Sequence, residues 1–186
     1  IAGDSMAAWL AEGQESHAPD TEILEAAARD ALLPLENEPG SLLEIQQALH
    51  ALMWEKAGIL RTKEQLESAA VELEALDDRL ARTGLHDAES LAFNLTWHDW
   101  LNLRNQILVS RTIVQAALSR ENSRGAHYRE DYPDTGDLET SYYTVTELDA
   151  TGRINVHNRD VQFSRIAPGQ SLLEGENSGA LAASGQ

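Results

Sequence analysis

The sequence has no cysteine among its 186 residues. That excludes disulfides, cysteine-held zinc or iron–sulfur clusters and thiol nucleophiles within the chain. Lysine is nearly absent: 12 of the 14 basic residues are Arg, and only Lys56 and Lys63 are Lys. Aromatic residues make up 5%, so Leu and Ala must build most of any core. No apolar run approaches the roughly 18 residues of a membrane span, and no signal-peptide pattern opens the chain. Neither G-x-G-x-x-G nor G-x-x-x-x-G-K-[ST] occurs, so neither common phosphate cradle is present. The six histidines are His17, His50, His86, His98, His127 and His157. None pairs with another at i, i+4, and no metal site is expected from them. His50 borders a leucine stripe and reads as a capped or half-buried structural residue. The formal net charge of −17 argues against binding a nucleic-acid backbone.

Apolar residues at 42% and charged residues at 24% describe a globular chain with enough material for a core. The acidity is uneven. Residues 1–100 hold 20 acidic and 6 basic residues, and the remainder holds 11 and 8. The chain starts at Ile1 rather than Met, in what reads as mid-helix, which suggests a piece of a longer protein.

The expected fold is mainly α: an antiparallel three-helix bundle, preceded by shorter helices and followed by a β-hairpin extension. Residues 1–13 read as the end of a helix stopped at Gly13. Residues 14–40 form a connector holding a short helix capped by Asp20 and stopped at Pro34. Ser41 and Glu44 form an S-x-x-E capping box, and Thr62 and Gln65 form a second. Leu42, Ile45, Leu49 and Leu52 mark the first bundle helix, ending near Gly58. Leu66, Ala69, Leu73, Leu76 and Leu80 mark the next, ending near Gly84. A third runs from about Ser90 to about Arg120. Its apolar residues, Trp97, Trp100, Leu103, Ile107, Leu108 and Val114 among them, cover more than half its girth, as in a central helix. The bundle spans 41–121, the loop and hairpin 122–168, and a flexible tail 169–186. The hairpin signal is Tyr, Thr and Val in 141–148, a turn at 149–152, and alternation after Arg153.

One segment concentrates chemistry. Residues 123–133 read SRGAHYREDYP, with two Arg, a His, two Tyr and two carboxylates in eleven residues. Such a loop can offer Arg to a carboxylate while its own acids hold the Arg in place. The simpler reading is a salt-bridge network of Arg124, Glu130 and Asp131 that clamps the loop to a neighbouring domain.

This run resembles the signature in the C-terminal domain of succinate dehydrogenase and fumarate reductase flavoprotein subunits, a superfamily that includes L-aspartate oxidase. Residues 52–62, LMWEKAGILRT, are similar to the family's first bundle helix and following turn. Residues 1–13 resemble the last helix of its flavin-binding domain. The resemblance implies an FAD-dependent oxidoreductase that moves a hydride between flavin and a dicarboxylate. FAD would be bound by an N-terminal domain that these residues do not contain. The family's acid–base arginine and most substrate-binding positions belong to that part, so no catalytic residue is assigned here and the piece alone is expected to be inactive. The loop residues Ser123, Arg124, Gly125, His127 and Arg129 would lie at a substrate or domain interface. The implied partners are the flavin-binding and capping domains of the same chain and an iron–sulfur subunit. The implied location is cytoplasmic, peripheral to the membrane through partner subunits and without direct insertion. Ala126 leans toward the dehydrogenase and reductase branch, where L-aspartate oxidases more often carry Leu. The tail is shorter and less basic than the Arg- and Pro-rich tails of respiratory subunits, which points to a paralogue outside the respiratory complexes as one alternative. The C-terminal domain of L-aspartate oxidase and a stand-alone acidic helical interaction module are two others.

Overall fold

Ser41 sits in extended backbone, and its hydroxyl accepts from the Glu44 N–H, opening α3 (Leu42–Lys56). The other half of the expected box is missing. The Glu44 carboxylate instead takes Arg79 at 2.7 Å, across the bundle. At Thr62 both halves form, and α4 (Lys63–Ala81) follows. A computed structural model describes residues 2–13, 18–149, 151–166, 168 and 170. The expected tail at 169–186 lies outside these, Gln170 excepted. The other elements are α1 (Ala2–Ala11), α2 (Thr21–Leu32), a 3-10 turn (Leu33–Leu35) and α5 (Leu95–Ser119), with strands β1 (Leu60–Arg61), β2 (Tyr128–Arg129), β3 (Tyr142–Leu148) and β4 (Ile154–Asp160).

Cross-links set the helix directions. Glu44 near the start of α3 meets Arg79 near the end of α4, while Lys56 at the end of α3 meets Glu72 and Ser68. Thus α3 and α4 are antiparallel. Asp77 of α4 pairs with Arg111 of α5, and Trp100 near the start of α5 reaches Leu80 near the end of α4. The second pair is therefore antiparallel too. The core between them is Ile45, Leu49, Leu52, Leu66, Ala69, Leu73, Leu80, Trp100, Leu103, Ile107 and Val114. These are the helical stripes of the sequence. Leu108 is an exception, being only half-buried and outside this cluster. His50 is exposed rather than half-buried.

The third long helix begins at Leu95, five residues later than the pattern suggests. Asn94 is its N-cap and accepts from the Trp97 N–H at 2.8 Å. The Asn94 amide also donates to the carbonyls of Asp87 and Ser90. This holds the preceding turns out of helical geometry. Helix α4 likewise ends at Ala81, before Gly84. Gly84 serves a different end: a Cβ there would lie 2.0 Å from the Asn37 carbonyl oxygen. Only glycine lets the connector and the α4–α5 loop close into the Pro39–Gly84 bridge.

Several helix C-termini are finished by side chains distant in sequence. The Trp97 indole donates to Ala31 O of α2 at 2.7 Å. The Trp100 indole donates to Leu80 O and Thr83 O. Asn37 donates to Ala81 O. Terminal carbonyls have no partner within their own helix, so each such bond ties a helix end to another element. The expected hairpin is present as β3 and β4, antiparallel with Tyr142 opposite Asp160 and Leu148 opposite Ile154. It packs on α5. Helix α1 buries no residue.

Candidate functional site

The loop after α5 starts with a knot at Ser123. Its buried hydroxyl accepts from the Arg129 N–H at 2.9 Å and donates to Tyr132 O at 2.8 Å. Inside that closure Arg124 and His127 pair through both backbone bonds, 2.9 and 3.1 Å. Gly125 and Ala126 are then the central residues of a two-residue turn. Gly125 has φ +58° and Ala126 does not turn positive, the pattern of a type II′ turn with glycine first. SRGAH is thus a miniature hairpin. Its far side runs on as β2, which pairs parallel with β1, Leu60 opposite Tyr128 and Arg61 opposite Arg129. The sequence marks 122–168 as loop and hairpin and gives no sign of β2. Two-residue strands leave no alternation to read.

Arg129 is 1% exposed and faces inward. Its NH1 donates to the carbonyls of Ala117, Leu118 and Arg120, the orphaned end of α5. Its Nε and NH2 fork onto the two oxygens of Asp131 at 2.8 and 2.6 Å. Asp131 in turn accepts from the Lys63 N–H, the first residue of α4, at 3.1 Å. One ion pair therefore places a cation at the C-terminus of α5 and an anion at the N-terminus of α4, where each macrodipole favours it. The Arg129 fork, helped by backbone N–H groups, holds the Asp131 carboxyl down at about 2. The ring of Tyr132 covers the guanidinium at 4.9 Å.

Arg124 departs from the expected salt-bridge network. Its Nε donates to Thr135 O, its NH2 to Asp137 O and its NH1 to the Ser141 hydroxyl. It organises the 134–141 segment through neutral acceptors. The ion pair of the loop is Arg129–Asp131, and Glu130 contributes its backbone N–H to Arg61 O. His127 is half-buried, with Nδ1 2.9 Å from Arg61 NH1 and Nε2 3.3 Å from Arg120 O. Burial pushes its pKa down and the Arg120 carbonyl draws it back up. The charges of Arg61, Arg120 and Arg129 lower it further.

Two participants carry no sequence signal as site residues. Arg61 anchors through Nε to Ala57 O and Gly58 O. Arg120 stacks on Tyr142 at 5.0 Å and donates to Thr144. Both lie outside the SRGAH run, and only tertiary pairing brings them to it. The loop's cations are committed to the chain's own carbonyls and to Asp131, and Gly125 lies in a tight turn rather than a phosphate-cradling loop. These residues do not by themselves fit an FAD site. Among the described residues no group of three or more His, Asp or Glu could hold a metal ion. No helix of the described residues is long and apolar enough to cross a membrane.

Several large apolar residues are exposed, among them residues at the end of α3 and in β1 and β2. Trp54 is 81% exposed and Ile59 77%, and Leu60 and Tyr128, opposite each other in β1 and β2, are also exposed. Phe93 is fully exposed, and Met6, Trp9 and Leu10 of α1 are exposed as well.

Comparison with known proteins places this architecture. The family described as Fumarate reductase flavoprotein C-term matches residues 46–172. The fumarate reductase flavoprotein subunit of Mycobacterium tuberculosis is 31% identical over 178 residues, covering 92% of this chain and 30% of that protein. An L-aspartate oxidase of Ralstonia nicotianae is 39% identical over 87 residues, covering 47% of this chain and 15% of that protein. The FrdA chain of an E. coli quinol fumarate reductase superimposes with a TM-score of 0.74 at 26% identity, over 86% of this chain and 28% of that one. Thus the chain spans about 30% of the length of the first curated relative it matches. With its bundle, its SRGAH turn and its hairpin in this order, the chain belongs to the C-terminal domain family of fumarate reductase and succinate dehydrogenase flavoproteins.

Proposed function

We propose that this chain braces the flavin-binding and capping domains of an FAD-dependent oxidoreductase that moves a hydride between flavin N5 and a dicarboxylate. On this reading, 1–13 closes the flavin-binding domain, 14–40 connects it to the bundle at 41–121, and 122–168 faces the other domains. The flavin supplies the redox chemistry and this chain supplies rigidity. The observation that carries the reading is that Leu60 and Tyr128, opposite each other in β1 and β2 beside the SRGAH turn, are exposed, as are Trp54 and Ile59 shortly before β1 in the chain. Exposed apolar residues that adjoin mark a contact surface, and the Leu60–Tyr128 pair lies at the segment that carries the family resemblance. Ser123, Gly125 and Arg129 shape the turn from within, while Arg124 and His127 hold its two sides. The turn is thereby a preformed, stiff contact element. An iron–sulfur subunit is the proposed external partner, and a cytoplasmic, peripheral location follows from it.

The test uses the full-length protein that contains this chain. Trp54→Glu with Ile59→Lys is expected to lower flavin retention and succinate or fumarate turnover together. The unfolding midpoint of the 186-residue chain should stay unchanged. Full retention and turnover in the double variant would sink the bracing role. The identity with an L-aspartate oxidase over 87 residues favours one second reading, in which the parent oxidises L-aspartate. Turnover of aspartate in place of succinate by the full-length protein would establish it.

A further inference from the structure

Both ring nitrogens of His127 are engaged, and their partners fix its protonation. A guanidinium has donors and no acceptor. Nδ1, 2.9 Å from Arg61 NH1, must therefore accept and carry no hydrogen. Nε2 then carries the hydrogen and donates to Arg120 O at 3.3 Å. Only the neutral Nε2–H ring satisfies both contacts. The charged groups acting on the ring come from three elements: Arg61 of β1, Arg120 at the end of α5 and Arg129 of β2. All three are cations. Asp131, the acid of the loop's ion pair, is spent on Arg129.

The Arg61–His127 bond has a definite place in the fold. Arg124 ties the turn toward the hairpin segment at Thr135, Asp137 and Ser141. His127 ties it the other way, to the α3–α4 connection. We propose that His127 is a proton-operated latch, which fastens the SRGAH turn to the α3–α4 connection while neutral and releases Arg61 when protonated. A proton on Nδ1 turns the contact into donor against donor and cation against cation. Arg61 stays rooted by Nε on Ala57 O and Gly58 O, so only its outer end swings away. The Arg129–Asp131 pair is unaffected until far lower pH, because that carboxyl titrates at about 2. Protonation thus releases this side-chain tie alone, and the β1–β2 backbone pairing and the helix ends beneath the turn stay in place. The latch rests on this chain's residues alone. Its consequence for a docked neighbour rests on the bracing role proposed above.

The test is a pH titration of the 186-residue chain by 1H–15N NMR. The His127 ring is expected as the Nε2–H tautomer, titrating below the ordinary value of 6.5. The Arg61 side-chain resonances and the amides of 124–127 should move along the same curve. R61M removes one opposing cation, so the His127 titration should shift upward. H127Q should abolish the pH response at Arg61. Titration of His127 at or above the ordinary value, or an Arg61 signal that ignores it, would overturn the latch. Should H127Q fail to fold, the wild-type curve and R61M decide. No flavin is needed, so failure of the bracing role would leave this result standing.

Discussion

Arg129 shows how a residue that looks like a ligand-binding group can be consumed by the fold. Its fork, its stacking ring and three carbonyls hold it at 1% exposure, out of reach of another domain. Arg129→Ala would strand the Asp131 carboxylate and the end of α5. Breaking a buried pair from one side costs about 3–5 kcal/mol, and the low end applies because the Asp131 side chain is 26% exposed. Arg129→Lys should recover little of this, because an ammonium cannot fork. Urea unfolding of the three proteins measures it. Asp131 also sets an acid limit. Its folded value of about 2 lies below the ordinary 3.8, so the stability it gives is present above 3.8. That contribution is lost as the pH falls toward 2. Asp131→Asn should flatten the acid-unfolding curve across that interval. Nothing in the sequence separates the roles of Arg124 and Arg129. Both are arginines of one short loop, and only the meeting of α4 and α5 beneath Arg129 makes it structural.

At the scale of elements, the starts of α2, α3 and α4 were legible, while the Asn94 start of α5 and the partners that close the helix ends were not. Asp20, Ser41 and Thr62 act as caps because an N-cap bonds N–H groups two or three residues on, within reach of a local pattern. Thr62→Ala should therefore cost about 1 kcal/mol, read as a fall in the thermal midpoint. The helix ends are closed by Trp97, Trp100, Asn37 and Arg129 from far along the chain. Their spacing carries no sign of it. The half-formed box at Ser41 has the same origin, since Arg79 outcompetes the local partner for Glu44. Core stripes were legible with one limit. Leu73→Ala should cost about 2–5 kcal/mol. Leu108→Ala should cost clearly less, because Leu108 is only half-buried and sits outside the core cluster. The chevron arms of the two variants would show the contrast directly.

At the scale of the whole molecule, most of the excess acidity falls in residues 1–100, with 20 acidic residues against 6 basic. Arg61, Arg120 and Arg129, which converge on His127, are concealed within a chain of net charge −17. Raising salt should therefore change the stability of the chain little through that cluster, whose contacts are short and shielded. Most of the fold could be read from periodicity. The exposure of Trp54 and Ile59 could not, because both sit in a sequence context indistinguishable from core.

The exposure of Trp54 makes the molecule self-reporting. Trp9 and Trp54 face solvent while Trp100 is sealed at 2% exposure. Iodide will quench the first two and spare the third. Covering of Trp54 by a neighbouring domain would remove its share of the quenching with no change in the buried indole. Unfolding would do the reverse and open all of them. A single emission experiment therefore separates assembly of this surface from loss of the fold, with no label attached.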